Sequence, residues 1–144
     1  FEAAAFLRRC GADITRVRKM FRDDMDSYRA KAEAVRMAEV YRKEFAIAEC
    51  PSDVESPTVL AAQAANELLD ISGIKASFVL TIYEGKIYMS ARSIDEVNVQ
   101  IVAEKLGGGG HINAAGAQFD HTDMEEAIKA LKQTIDKMIE EGDI

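Results

Sequence analysis

Hydrophobic positions recur at two periods along this chain, and the switches between them mark out helices and strands. Met124, Ala127, Ile128, Leu131, Ile135, Met138 and Ile139 return every three or four residues, which predicts a helix with one buried stripe, ended at Gly142. Thr122 and Glu125 have capping-box spacing at its start. Val59, Ala61, Ala64, Ala65, Leu68 and Leu69 predict a second helix, opened by Ser56-Pro57 and ended before Gly73. A third covers 94–106, with Val99, Val102, Ala103 and Leu106 on one face and Ser93 with Glu96 at capping-box spacing. The period drops to two over 86–93, where Ile87, Met89 and Ala91 face one way and Tyr88, Ser90 and Arg92 the other. Ala76 to Tyr83 is nearly continuously apolar, which predicts an interior strand, and Glu84-Gly85 a short turn between the two. Further strands are expected over 44–50 and around Ala117 to Phe119, with Pro51 to Ser56 a loop. Strands interleaved with helices predict an α/β (α+β) fold, a mixed sheet of about five strands flanked by helices.

The first part of the chain is helical in pattern. Residues 1–9 read as the end of a helix stopped by Gly11. Asp13 can cap the next, and Ile14, Val17, Phe21, Met25, Tyr28, Ala32 and Val35 extend one apolar side to about Met37. That amphipathic stretch reads as a connector.

Composition narrows the function classes. The net charge of −7 repels DNA and RNA in bulk, so a polyanion needs a local basic pocket. Cys10 and Cys50 form no CxxC pair and read as reduced thiols of a cytosolic protein. No uncharged stretch reaches the length of a membrane helix, and no signal peptide is visible. The opening Phe1-Glu2-Ala3 without an initiator Met reads as a piece of a longer protein.

The candidate chemistry centres on Gly107-Gly108-Gly109-Gly110-His111, followed by Ala114-Ala115-Gly116. Four glycines remove every Cβ from one loop and permit φ > 0, so backbone amides can close on an anion, phosphate first. His111 can donate to a phosphoryl oxygen or act as an acid near neutral pH. Arg92, with Ser90 and Ser93 beside it, can bring a rigid donor fork to the same phosphate or to a base. Ser93 can cap the following helix and touch ligand as well. Asn98 needs a partner in its apolar company, either the ligand or the glycine loop. His121 reads as a surface residue at a helix entry. Two histidines without a carboxylate cluster make no complete metal site, and no Ser-His-Asp set or Walker loop stands out. The pattern is a ligand pocket without a catalytic engine.

Ser90-Ala91-Arg92-Ser93, Asn98-Val99-Gln100, Leu106 with four glycines and His111, and Ala114-Ala115-Gly116 together resemble the DHH-associated domain of the DHH phosphoesterases. The pairing of Ser-Ala-Arg-Ser with Asn-Val-Gln is most similar to the GdpP-type cyclic di-AMP phosphodiesterases of bacterial signalling. The resemblance covers 38–144 and implies the fold of that domain; residues 1–12 resemble the tail of the preceding DHH domain, and 13–37 would be the helical linker between them. It implies that two divalent metals, usually manganese, sit in that upstream domain and activate water for attack at phosphorus, yielding linear pApA. The grip on substrate would fall here on Ser90, Arg92, Ser93, Asn98, Gly107, Gly108, Gly109, Gly110 and His111. His111 would be the one residue in contact with the chemistry. The Asp-His-His motif itself is missing, and Asp120-His121-Thr122 is no substitute, so the isolated chain is expected to be inactive. The implied partners are a cyclic dinucleotide or short oligonucleotide, the upstream DHH domain, and a second copy in a homodimer. The segment would be cytoplasmic with no membrane contact of its own, in a parent anchored by N-terminal helices. Two alternatives remain: a module of an oligoribonuclease or RecJ-like exonuclease, and a non-catalytic nucleic-acid-binding module.

Overall fold

The computed structural model describes residues 1–20, 22, 24–94 and 96–144. The helices are α1 (Glu2–Arg9), α2 (Ile14–Met20), α3 (Met25–Arg36), α4 (Pro57–Leu68), α5 (Val99–Lys105) and α6 (Met124–Glu140). The strands are β1 (Glu39–Tyr41), β2 (Phe45–Glu49), β3 (Ala76–Tyr83), β4 (Lys86–Ser93), β5 (Gly109–His111) and β6 (Ala114–Phe119). They form one mixed sheet in the order β1-β2-β3-β4-β6-β5, in which only β2 and β3 run parallel, joined across α4.

The sheet separates two apolar cores. On one face Phe45, Ile47, Phe78, Leu80, Met89 and Ala91 pack with α5 and α6 through Val99, Val102, Leu131, Ile135 and Met138. On the other, Ala46, Ala48 and Val79 pack with α4 and α3 through Leu60, Ala61, Ala64, Ala65, Leu68, Ala30 and Ala34. The continuous apolar run of β3 is explained by burial on both faces. The turn Glu84-Gly85 has φ of 50° and 75°, positive at both central residues as a tight hairpin needs.

The mixed architecture agrees with the pattern, and the strand count is six where about five were expected. Four of the six were placed by the pattern; β1 and β5 were not. The glycine stretch is an edge strand rather than a bare loop, because Gly109 and His111 lie opposite Gly116 and Ala114. The strand expected around Ala117 begins earlier, at Ala114. The helix expected to run from Asp13 to Met37 is two helices, since the Asp24 side chain caps α3 by accepting from the Ser27 amide at 2.8 Å. Phe21, assigned to its apolar side, lies outside the described residues. The buried residues of α3 are Ala30, Lys31 and Ala34, while Met25 and Tyr28 of the expected stripe are exposed. α1 and α2 bury no residue. The last helix is capped by Asp123, which accepts from the Glu126 amide at 2.8 Å; Thr122 instead donates to the Glu126 carboxylate.

Candidate functional site

Strand register decides which candidate residues share a face. Arg92 lies opposite Ala114, and Ala114 opposite His111; Ser90 lies opposite Gly116, and Gly116 opposite Gly109. Side chains alternate along a strand, so Ser90, Arg92, Ala114, Gly116, Gly109 and His111 belong to one face. It is the face on which α4 covers β3, where Ser77, Val79 and Thr81 are fully buried. Ser77 Oγ ties α4 to the sheet by donating to the Ala65 carbonyl at 2.6 Å. α4 also lies against β4, and beyond β4 the cover thins. Ser90, Arg92, Ala114, Gly116 and Gly109 are half-buried, and His111 is exposed. The result is a shallow shelf with a floor of Ser, Ala and Gly and with Arg92 and His111 at one end. Two strand spacings put their backbones roughly 9–10 Å apart, so the two long side chains can converge over Ala114 on one small anion.

The four glycines divide into distinct jobs. Gly107, at φ 87°, ends α5: its amide donates to Glu104 O at 3.1 Å and the Gly108 amide to Ala103 O at 2.7 Å, a Schellman closure. A Cβ on Gly108 would overlap the Gly116 carbonyl oxygen and lie 2.7 Å from Ala117 Cα. A Cβ on Gly110, at φ 146°, would lie 2.5 Å from Ala115 Cα. Gly109 alone of the four has neither constraint: its φ is not left-handed and nothing lies within 4 Å of its Cβ position. Its missing side chain opens the shelf. The expected φ > 0 is therefore confined to Gly107 and Gly110. As the sheet edge, β5 also turns backbone polar groups away from β6.

Ser93 and Asn98 sit elsewhere. Ser93 is buried on the opposite face, where its hydroxyl donates to Val97 O at 2.6 Å, approaches Ile112 O at 3.3 Å and accepts from Asn113 Nδ2 at 3.0 Å. It fixes the turn between β5 and β6. Asn98, not Ser93, caps α5: its Oδ1 accepts from the Ile101 amide at 3.3 Å, a local partner within the helix start. The first α5 amide, Val99, donates to Ile112 O at 2.9 Å. α5 thus starts against the hairpin turn that carries His111. The Arg92 guanidinium donates through Nη1 to Ala91 O at 2.8 Å, which uses one of its five donors.

The same face carries residues that the motifs passed over. Tyr88 lies opposite Gln118, one row beyond Ser90 and Gly116. The clean alternation of β4 was the signal for Tyr88; no signal singled out Gln118. His121 is exposed, as expected of a helix entry. Grooves lie elsewhere, about 530 Å³ between α1 and α2 and about 760 Å³ beside α6, and neither contains a sequence-predicted site residue. Among the described residues no group of three or more His, Cys, Asp or Glu could hold a metal ion. No helix among them is long and apolar enough to cross a membrane.

A family model described as the DHHA1 domain matches residues 43–140. The chain is 41% identical over 137 residues to the cyclic-di-AMP phosphodiesterase PdeA of Listeria monocytogenes, covering 94% of this chain and 21% of that protein. It is 41% identical over 145 residues to the cyclic-di-AMP phosphodiesterase GdpP of Bacillus subtilis, covering 99% of this chain and 22% of that protein. The chain therefore spans about a fifth of the length of these relatives. A solved structure of an exopolyphosphatase-related protein from Bacteroides fragilis has the same fold, with TM-score 0.82 and 23% identity over 94% of this chain and 42% of that one.

Proposed function

The chain belongs to the DHHA1 domain family, and from that premise we propose that it is the substrate-gripping module of a phosphodiesterase acting on cyclic di-AMP. The observation that carries this is the meeting of Arg92, His111, Ser90 and the open Gly109 position on one accessible sheet face. Names of relatives that are homologous over nearly the whole chain supply the substrate class. On this shelf the Arg92 fork takes two phosphoryl oxygens side by side. His111 donates to a third, or hands a proton to the departing oxygen. The Gly109 position lets the phosphate approach the β5 backbone, and Ser90 offers a hydroxyl from the floor. Ser93 and Asn98 act through the hairpin turn and the α5 start that hold His111 in place.

The chain's own residues bind and orient; the bond-breaking machinery is assigned to the remainder of the parent protein. We place residues 1–12 with that remainder. The apolar groove between α1 and α2, lined by Leu7, Ile14 and Val17, fits such a contact, because neither helix belongs to a core of this domain. The segment then works on the cytoplasmic side of a membrane-anchored parent. The test is calorimetric titration of cyclic di-AMP into the full-length parent and its Arg92→Ala variant. The variant should bind about tenfold or more weakly, as loss of a charge-assisted hydrogen bond requires. Unchanged affinity would refute the reading.

A further inference from the structure

The shelf extends past the phosphate end. Going from Arg92 to Ser90 to Tyr88 along β4, the face changes from cationic to small to aromatic. Tyr88 stands about 13–14 Å along the strand from Arg92, a gap that one nucleotide unit bridges before the base of the next. The Tyr88 ring is half-buried and braced by the Tyr83 ring, edge-on at 6.0 Å and 60°. That contact settles the ring's pose before any ligand arrives. Opposite Tyr88 is Gln118. Its Nε2 donates to Asp120 Oδ1 at 2.9 Å. A carboxylate can only accept, so this bond fixes which end of the amide is which and leaves Oε1 as an oriented acceptor.

We propose that Tyr88 and Gln118 form a second subsite on this shelf, for the nucleobase remote from the Arg92–His111 end. Tyr88 stacks the base. Gln118 Oε1 accepts from its exocyclic amino group, and so favours adenine over hypoxanthine, which presents a carbonyl there. The inference rests on the functional reading above and adds the part of the ligand that is read.

Four variants of the full-length parent test it by affinity: Tyr88→Ala, Tyr88→Phe, Gln118→Ala and Arg92→Ala. The probes are 5′-phosphorylated linear di-adenylate, its di-inosine counterpart, and AMP. Tyr88→Ala should weaken di-adenylate about tenfold, the usual worth of one aromatic–base stack, and leave AMP within about twofold. Tyr88→Phe keeps the stack and should bind like the parent. Gln118→Ala should weaken di-adenylate, leave di-inosine unchanged and so erase the preference between them. Unchanged di-adenylate affinity in Tyr88→Ala, equal losses for di-adenylate and AMP, or an intact preference in Gln118→Ala would each overturn the subsite. If Arg92→Ala weakens di-adenylate while the Tyr88 and Gln118 variants do not, this inference alone fails. If Arg92→Ala binds normally, or the parent binds none of the probes, the functional reading fails and takes the subsite with it.

Discussion

Substituting three of the consecutive glycines separates packing from ligand access. Gly108→Ala puts a Cβ into the Gly116 carbonyl, with Ala117 Cα 2.7 Å away. Both neighbours are backbone or rigid, so β5 must move off β6. Overpacking of this kind costs about 1–3 kcal/mol, or roughly 3–12 °C in Tm for a chain of this size. Gly110→Ala has the same clash, at 2.5 Å from Ala115 Cα, and in addition holds a side chain at φ 146°. It should be the most damaging of the three. Gly109→Val meets nothing within 4 Å and no left-handed backbone. A β-branched residue suits an extended strand, so stability should change by no more than about 1 kcal/mol. The valine does occupy the space above the shelf floor, and the phosphate loses its approach to the β5 backbone. Losing that charge-assisted contact corresponds to about 1.5–3 kcal/mol, a drop of an order of magnitude or more in affinity and turnover. Thermal unfolding of the 144-residue chain gives the first quantity, and hydrolysis of cyclic di-AMP by the full-length parent gives the second. A Gly109→Val enzyme with normal turnover would refute the open-shelf argument. A Gly108→Ala chain melting with the parent would refute the close backbone approach.

Arg92→Ala and His111→Ala in the full-length parent should each lower kcat/KM about tenfold or more with Tm nearly unchanged; early melting at full activity would reassign either residue to structure. Ser93→Ala should do the reverse. It strands the carbonyl of buried Val97 at a cost of about 1–3 kcal/mol, so a parental Tm would contradict its anchoring role. Burial pushes the Cys50 thiol up to about 11, whereas Cys10 is exposed, so iodoacetamide at pH 8 should label Cys10 and spare Cys50 until the chain unfolds. The unfolded thiol ionises first, from near 9, so this group's contribution is complete below pH 9 and is lost as pH rises towards 11. Tyr41 adds in the same direction, because its phenol donates to Asp136 and its pKa is raised by that bond; alkaline melting that showed rising stability would contradict both. Residues 1–144 incubated with manganese and cyclic di-AMP should give no linear product by chromatography, and turnover free of contaminating enzyme would overturn the division of labour.

The fold was legible wherever one period dominated. β3, β4, α4 and α6 stand close to where the pattern puts them, because each buries a contiguous face against a layer that shares its period. The pattern misled where local polar groups outbid it. An Asp at 24 that caps α3 breaks an apolar side that otherwise runs on; Ile14, Val17, Met25 and Tyr28 of that side are exposed, and Val35 near its end packs against a core. Capping boxes misled twice for one reason. Ser93 with Glu96 and Thr122 with Glu125 have the right spacing, but spacing does not say whether the first residue is still in a strand or whether a better acceptor follows. At α5 the register of β4 keeps Ser93 in the ladder opposite Ala76 and hands the cap to Asn98.

The candidate residues could be named from the sequence but not arranged in space, and the glycines show why. A run of four reads as one device because a missing Cβ looks the same whatever its purpose. The reasons differ by position: ending a helix at Gly107, admitting neighbouring backbone at Gly108 and Gly110, and leaving open space at Gly109. Only the pairing of β5 with β6, a long-range fact, tells them apart. Arg92 and His111 are likewise nineteen positions apart and meet because β6 lies between their strands with small residues facing the shelf. Were Ala114 or Gly116 large, the same motif would present two isolated surface side chains. The Ala-Ala-Gly stretch therefore shapes this face through what it omits. Its sequence signal is the alternation of Ala114 and Gly116 on the shelf with Ala115 and Ala117 in the core.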